Sequence, residues 1–153
     1  MSDTPAFRPA ALGEIAIRCA DMAGMIAFYR DVLHLEVLSG GATADITFFR
    51  IAPGVAGHTS VLALFRHDAA NLARPGLHPH GDTPPETGAR SSLHHLALSL
   101  PRHAQDQAIA EFDNTGQPYR IEIFGWIGWR GVFLTDPEGN TVELVAHDPE
   151  FAD

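Results

Sequence analysis

A chain of 153 residues, 45% apolar and 19% charged, has the length and composition of one globular domain with its own core. Nineteen acidic against ten basic residues give a formal charge of −9, and the scattered basic residues form no patch, which excludes a general binder of nucleic acid. No run approaches the ~20 apolar residues of a membrane span, so no membrane partner is expected.

Met1 to Pro9 carries neither the basic stretch nor the apolar stretch of a secretory signal. Cys19 is the only cysteine, so no intramolecular disulfide can form, and a cytoplasmic location is expected. In Leu12 to Ala20 the apolar Ile15, Ile17 and Cys19 alternate with Glu14, Ala16 and Arg18, the period of a strand with one buried face. Asp21 is placed to cap a helix running to about His34, along which Met22, Met25, Ile26, Tyr29, Val32 and Leu33 form a buried stripe. Three shorter strands are expected over Leu35–Leu38, Asp45–Ala52 and Thr59–Arg66, separated by Gly40, Gly41, Pro53, Gly54 and Gly57.

Residues 67–92 lose all periodicity and are rich in Pro, Gly and His, which reads as a mobile linker. His78 and His80 lie there, where a surface accident is the simpler reading than a metal site. After the linker the pattern restarts: a strand over Leu93–Leu100, a helix over Pro101–Asn114 closed by Gly116, and a strand over Tyr119–Phe124. Strands over Gly131–Thr135 and Thr141–Ala146 follow, joined by the turn DPEGN at 136–140. The order βαβββ therefore occurs twice, in a module over 12–66 and a module over 93–147, and the fold class expected is α+β. LGEIAI at 12–17 aligns with LHHLAL at 93–98, which sets Glu14 over His95.

Strand alternation then sorts the polar residues. Glu14 shares the face away from the helix with Ala16 and Arg18, His95 with Ala97 and Ser99, and Glu143 with Thr141 and Val145. Two carboxylates and an imidazole converging on one cavity are costly to bury unpaired, and a divalent cation offsets that cost. Their O/N donors suit Mn, Fe, Co, Ni or Zn. The competing readings are a solvent-facing Glu143, a structural His95 and an exposed Glu14 at its strand's start. His94 and His103 are expected outside the cavity. His58, before the fourth strand, is a candidate for the cavity rim. Trp126, Trp129 and Arg130, read as a loop before the last hairpin, suit a substrate pocket with an apolar wall and one anion-seeking donor, or alternatively an interface.

Three stretches resemble one superfamily. AFYRDVL at 27–33 is similar to the first-helix signature of the vicinal-oxygen-chelate (glyoxalase/bleomycin-resistance/dioxygenase) group. LHHLAL at 93–98 is similar to the opening strand of its second module, and FLTDPEGNTVELV at 133–145, the most specific, to its closing hairpin. The resemblance implies a single glyoxalase-like domain over the whole chain, its two modules forming a cup-shaped mixed sheet around one metal site. It implies His95 and Glu143 as two metal ligands and places Glu14 where a His or Gln is more usual. Ala63 stands at the inner position of the fourth strand, where four-ligand members carry a donor, which counts against a glyoxalase I reaction. Glu14 in place of His counts against extradiol ring cleavage, and His34 stands where the group usually has Gly.

The function expected is a metal-dependent enzyme acting on a small oxygen-rich substrate, by lyase, isomerase or dioxygenase chemistry, with Glu14 as candidate general base. The alternative is a metal-free, drug-sequestering protein of the bleomycin-resistance type. A homodimer is expected in either case.

Overall fold

The computed structural model describes residues 6–69 and 81–153. In it the period-two stretches form two four-stranded mixed sheets in two compact units, the first ending at Pro85 and the second running Glu86–Asp153. His78 and His80, and with them the middle of the expected linker, lie outside the described residues. No helix among the described residues is long and apolar enough to cross a membrane.

The first unit runs β1 (Glu14–Cys19), α1 (Met22–Ala27), β2 (Val37–Ser39), β3 (Ile46–Val55) and β4 (His58–Arg66). Its sheet has the order β1-β4-β3-β2, with β1 parallel to β4 and the other pairs antiparallel. Ile17, Cys19, Phe49, Leu62 and Leu64 are buried, together with Met22, Met25, Ile26 and Tyr29. Each such side chain stabilises the fold by roughly 1.5–3 kcal/mol through burial.

Asp21 caps α1 through its carboxylate, which accepts from Gly24 N at 2.9 Å. The helix departs from the expected continuous run to His34: after Ala27 it widens into a π-helical turn over Phe28–Val32. Leu33 N donates to Phe28 O, five residues back, and His34 then takes φ 55°. His34 thus occupies the left-handed conformation that glycine adopts at least cost.

Pro53 and Gly54 do not end β3 as expected. The strand runs through them to Val55 by shifting register against β4 between Arg50 and Val55. Such bulges accommodate a proline that cannot donate to the ladder. Gly54 sits there at φ 79°, where a Cβ would collide with the His58 carbonyl. The β3–β4 turn has Ala56 and Gly57 at φ 53° and 83°, the two positive values of a type I′ hairpin loop. Ala56→Asn should therefore raise stability by about 1 kcal/mol, because asparagine tolerates this region better than alanine. A thermal melt should rise by roughly 2–4 °C; an unchanged or lower midpoint would show that the turn is not strained.

The second unit repeats the topology with β5 (Leu96–Ser99), α2 (Arg102–Thr115), β6 (Arg120–Phe124), β7 (Trp129–Thr135) and β8 (Thr141–His147), in the order β5-β8-β7-β6. Gly116, at φ 73°, ends α2 as a left-handed cap. Leu96, Val132, Leu134, Val142, Leu144 and Ala146 are buried with Phe112 of α2. Gln105, fully buried on α2, donates from Nε2 to the carbonyls of Arg130 and Leu144, both at 2.8 Å, and ties helix to sheet. In the β7–β8 hairpin the buried Asp136 accepts from Glu138 N, Asn140 N and Asn140 Nδ2, while Gly139 takes φ 94°. A well-satisfied turn fixes the register of both strands, and hence which residue of β8 lies opposite Phe133.

β7 begins at Trp129, so Trp129 and Arg130 belong to a strand rather than to the loop expected for them. Consecutive strand residues face opposite sides, and that separates the two.

Candidate metal centre

The two sheets carry matching registers. Ala16 lies beside Ala63 in the first, and Ala97 beside Glu143 in the second. Ala63 therefore occupies in the first unit the place that Glu143 holds in the second, as the strand count in the sequence indicated. Its side chain is a methyl group, so that position supplies no donor.

In the second unit His95 immediately precedes β5, two residues before Ala97. Ala97 and Glu143 are parallel partners, so their side chains project from the same face. The result is His95 Nε2 at 3.2 Å from Glu143 Oε2. The Glu143 side chain is only 8% exposed and that of His95 34%. Burial pushes the Glu143 carboxyl above its ordinary pKa, against a smaller downward pull from the His95 charge. Ionising a buried carboxyl that faces a single imidazole is thus costly.

Room for this carboxylate comes from Gly131 in β7. A Cβ there would overlap Glu143 Oε1 and come within 2.7 Å of Phe133 Cε2. Phe133, the cross-strand partner of Glu143, stands edge-to-face to the His95 ring at 6.3 Å between centroids and to Phe124 at 6.4 Å. Arg120 lies over the other part of this wall, its Cζ 5.7 Å from the Phe133 centroid. A cavity of about 450 Å³ opens beside it, lined by Tyr119, Arg120, Phe133, Thr135 and Thr141 among others. Thr141 is two residues from Glu143 on the same strand face.

His94, expected outside the cavity, is exposed, and its Nδ1 lies 2.7 Å from His95 Nδ1. His103 is exposed on α2.

In the first unit Glu14 heads β1, exposed, on the face of Ala16 and Ala63. His58 opens β4 and lays its ring against Gly13, where a Cβ would meet His58 Cε1 at 3.2 Å. Trp126 is 79% exposed in a short 3-10 turn. Trp129 is 42% exposed and faces the same side as Gly131 and Glu143. Arg130 faces the opposite side, where Nε donates to Gln105 Oε1, Nη2 pairs with Asp106, and the guanidinium lies 4.8 Å from the Phe151 centroid. Its donors are engaged with α2 and the C-terminal turn.

Of the three expected donors, the second unit brings together His95 and Glu143; Glu14 lies in the first. Among the described residues no group of three or more His, Cys, Asp or Glu is placed to hold a metal ion. The pair itself fits the donor chemistry of a divalent cation. Two donors about 2.1 Å from one ion lie roughly 3.0 Å apart at octahedral and roughly 3.4 Å at tetrahedral angles, and the observed 3.2 Å falls between. A cation there would also neutralise the charge of the buried carboxylate.

The sequence does not single out Gly131, and it sets His94 outside the cavity. Gly131 had a signal, since a glycine inside a strand marks a close approach. His94 had only its adjacency to His95.

Several solved structures share the fold. Lactoylglutathione lyase from Agrobacterium tumefaciens is 25% identical, with a TM-score of 0.68 over 90% of this chain and 94% of that one. A glyoxalase/dioxygenase from Nostoc punctiforme is 22% identical, with a TM-score of 0.61 over 96% and 99%. A single-residue mutant of the genomically encoded fosfomycin resistance protein FosX from Listeria monocytogenes, complexed with Mn(II) and 1S,2S-dihydroxypropylphosphonic acid, is 15% identical, with a TM-score of 0.59 over 94% and 95%. No sequence among the curated proteins matches this chain. The family profile matches residues 11–144, nearly the whole chain, which therefore belongs to the Glyoxalase/Bleomycin resistance protein/Dioxygenase superfamily.

Proposed function

We propose that the protein is a metal-dependent enzyme of the vicinal-oxygen-chelate type, acting on a small oxygen-rich substrate by lyase, isomerase or dioxygenase chemistry. The observation that carries this reading is the buried Glu143 carboxylate 3.2 Å from His95 Nε2. The likeness to lactoylglutathione lyase and to a manganese complex of FosX supports it.

His95 and Glu143 would hold the cation through Nε2 and the carboxylate. Gly131 leaves the volume that the carboxylate occupies, and Phe133 and Phe124 form an apolar wall that lowers the local dielectric. A bound divalent cation supplies Lewis-acid stabilisation of developing oxygen charge. Glu14, exposed at the head of β1, is proposed as a metal donor or as the general base that takes a proton from the substrate. His58, lying against Gly13, is proposed to fix the backbone from which Glu14 projects. Trp129 is proposed as a pocket wall.

Elemental analysis of protein purified without added metal, followed by calorimetric titration of Mn, Ni and Zn into chelator-treated protein, tests the reading. One transition-metal ion per chain is expected. Metal-free protein that takes up none of the three, yet binds an aromatic cationic drug, would replace it with the sequestering reading.

A further inference from the structure

His94 and His95 are consecutive, and in a regular strand their side chains would point apart. They lie just before β5, where the backbone is irregular, and both rings turn toward each other. The ring centroids are 5.0 Å apart at 73°, and the two Nδ1 atoms are 2.7 Å apart. That approach is stable only with one proton between the nitrogens, since two lone pairs or two N–H groups facing each other repel. His95 is thus held at both ends, Nδ1 by His94 and Nε2 toward Glu143.

A neutral imidazole has one proton and one lone pair. For Nε2 to donate its lone pair to a cation shared with Glu143, the proton has to sit on Nδ1, and something must accept it. The geometry points to His94 as that acceptor: a positioning residue that fixes the ring orientation of His95 and keeps it in the Nδ1–H tautomer. This inference rests on the metal-binding reading above and adds a residue to it. His94 acts on the site through His95, whose Nδ1 it faces. Its own ring is exposed, which separates this role from packing. Partners of this kind typically change metal affinity by about 10–100-fold when removed.

The test compares His94→Leu with His94→Asn, whose Oδ1 can accept near the position of the lost Nδ1. Calorimetric titration of Zn should show affinity falling about tenfold or more in His94→Leu and largely restored in His94→Asn. Melting of the metal-free proteins should be unchanged in both, since an exposed ring is replaced. In the Zn-loaded wild type, NMR should show the His95 Nδ1–H proton as a downfield signal protected from exchange, lost in His94→Leu and recovered in His94→Asn. Wild-type protein that binds no Zn would sink the proposed function and this inference with it. Normal Zn affinity and an intact Nδ1–H signal in His94→Leu would overturn this inference alone. Loss in both variants alike would show that His94 does not act as a hydrogen-bond acceptor, and would overturn it too.

Discussion

Glu143→Gln is expected to abolish metal binding and, in the same protein, to raise the stability of the metal-free fold at neutral pH. The two effects have one cause. Glu143 is buried, and desolvation raises its pKa above the ordinary carboxylate value, with His95 offsetting only part of the shift. A carboxyl whose pKa is higher folded than unfolded favours the fold fully while both states are protonated, and loses that advantage as pH rises through the folded value. At neutral pH the wild-type apoprotein therefore carries an ionisation penalty that a glutamine of the same shape does not. The gain in melting temperature of Glu143→Gln over wild type, in chelator, should be near zero at about pH 4 and larger at about pH 8. Adding Zn should reverse the order. A ligand at about 100 times its dissociation constant stabilises the state it binds by roughly 2.7 kcal/mol, and only the wild type gains it. Zn affinity of Glu143→Gln should be lower by more than about 100-fold, because a carboxamide cannot supply the charge. Equal Zn affinity in the two proteins would end the shared-site reading. A metal-free Glu143→Gln that melts below wild type at about pH 8 would show that the carboxylate is better solvated than its burial implies.

The fold is legible wherever alternation decides it. Two βαβββ runs follow from period two and from aligning 12–17 with 93–98, and the strand registers agree in pairing Ala16 with Ala63 and Ala97 with Glu143. Pattern fails where hydrogen bonding overrides it. The stripe from Met22 to Leu33 fits an α-helix throughout, yet a π-helical turn begins at Phe28, because no periodicity separates i−4 from i−5 bonding over so short a run. Pro53 and Gly54 read as a break, but a bulge absorbs them within β3. Glycines around Trp126 hide the start of β7 and group Arg130 with the tryptophans, although in the strand it turns toward Gln105 and Asp106. Alternation would also point His94 and His95 apart, but both precede β5, and their Nδ1 atoms lie 2.7 Å from each other.

Gly131→Ala should weaken metal binding without touching a donor atom. Gly131 is not among the glycines of positive φ, so its backbone accepts alanine and any effect arises from the added methyl group alone. That methyl would overlap Glu143 Oε1 and approach Phe133 Cε2 to 2.7 Å and Cζ to 3.1 Å. The carboxylate is the more movable neighbour, but it is buried, and any shift that relieves the overlap would change its 3.2 Å relation to His95. Overpacking of this kind typically costs about 1–3 kcal/mol, and a displaced ligand should lower Zn affinity by about tenfold or more. The stability part can be isolated by a double-mutant cycle. Deleting the Glu143 side chain removes the first collision, so Gly131→Ala should cost clearly less in a Glu143→Ala background than in wild type. Denaturant unfolding of the four proteins in chelator measures the coupling. Equal costs in both backgrounds would place the whole clash on Phe133, and Gly131 would then have no part in shaping the site.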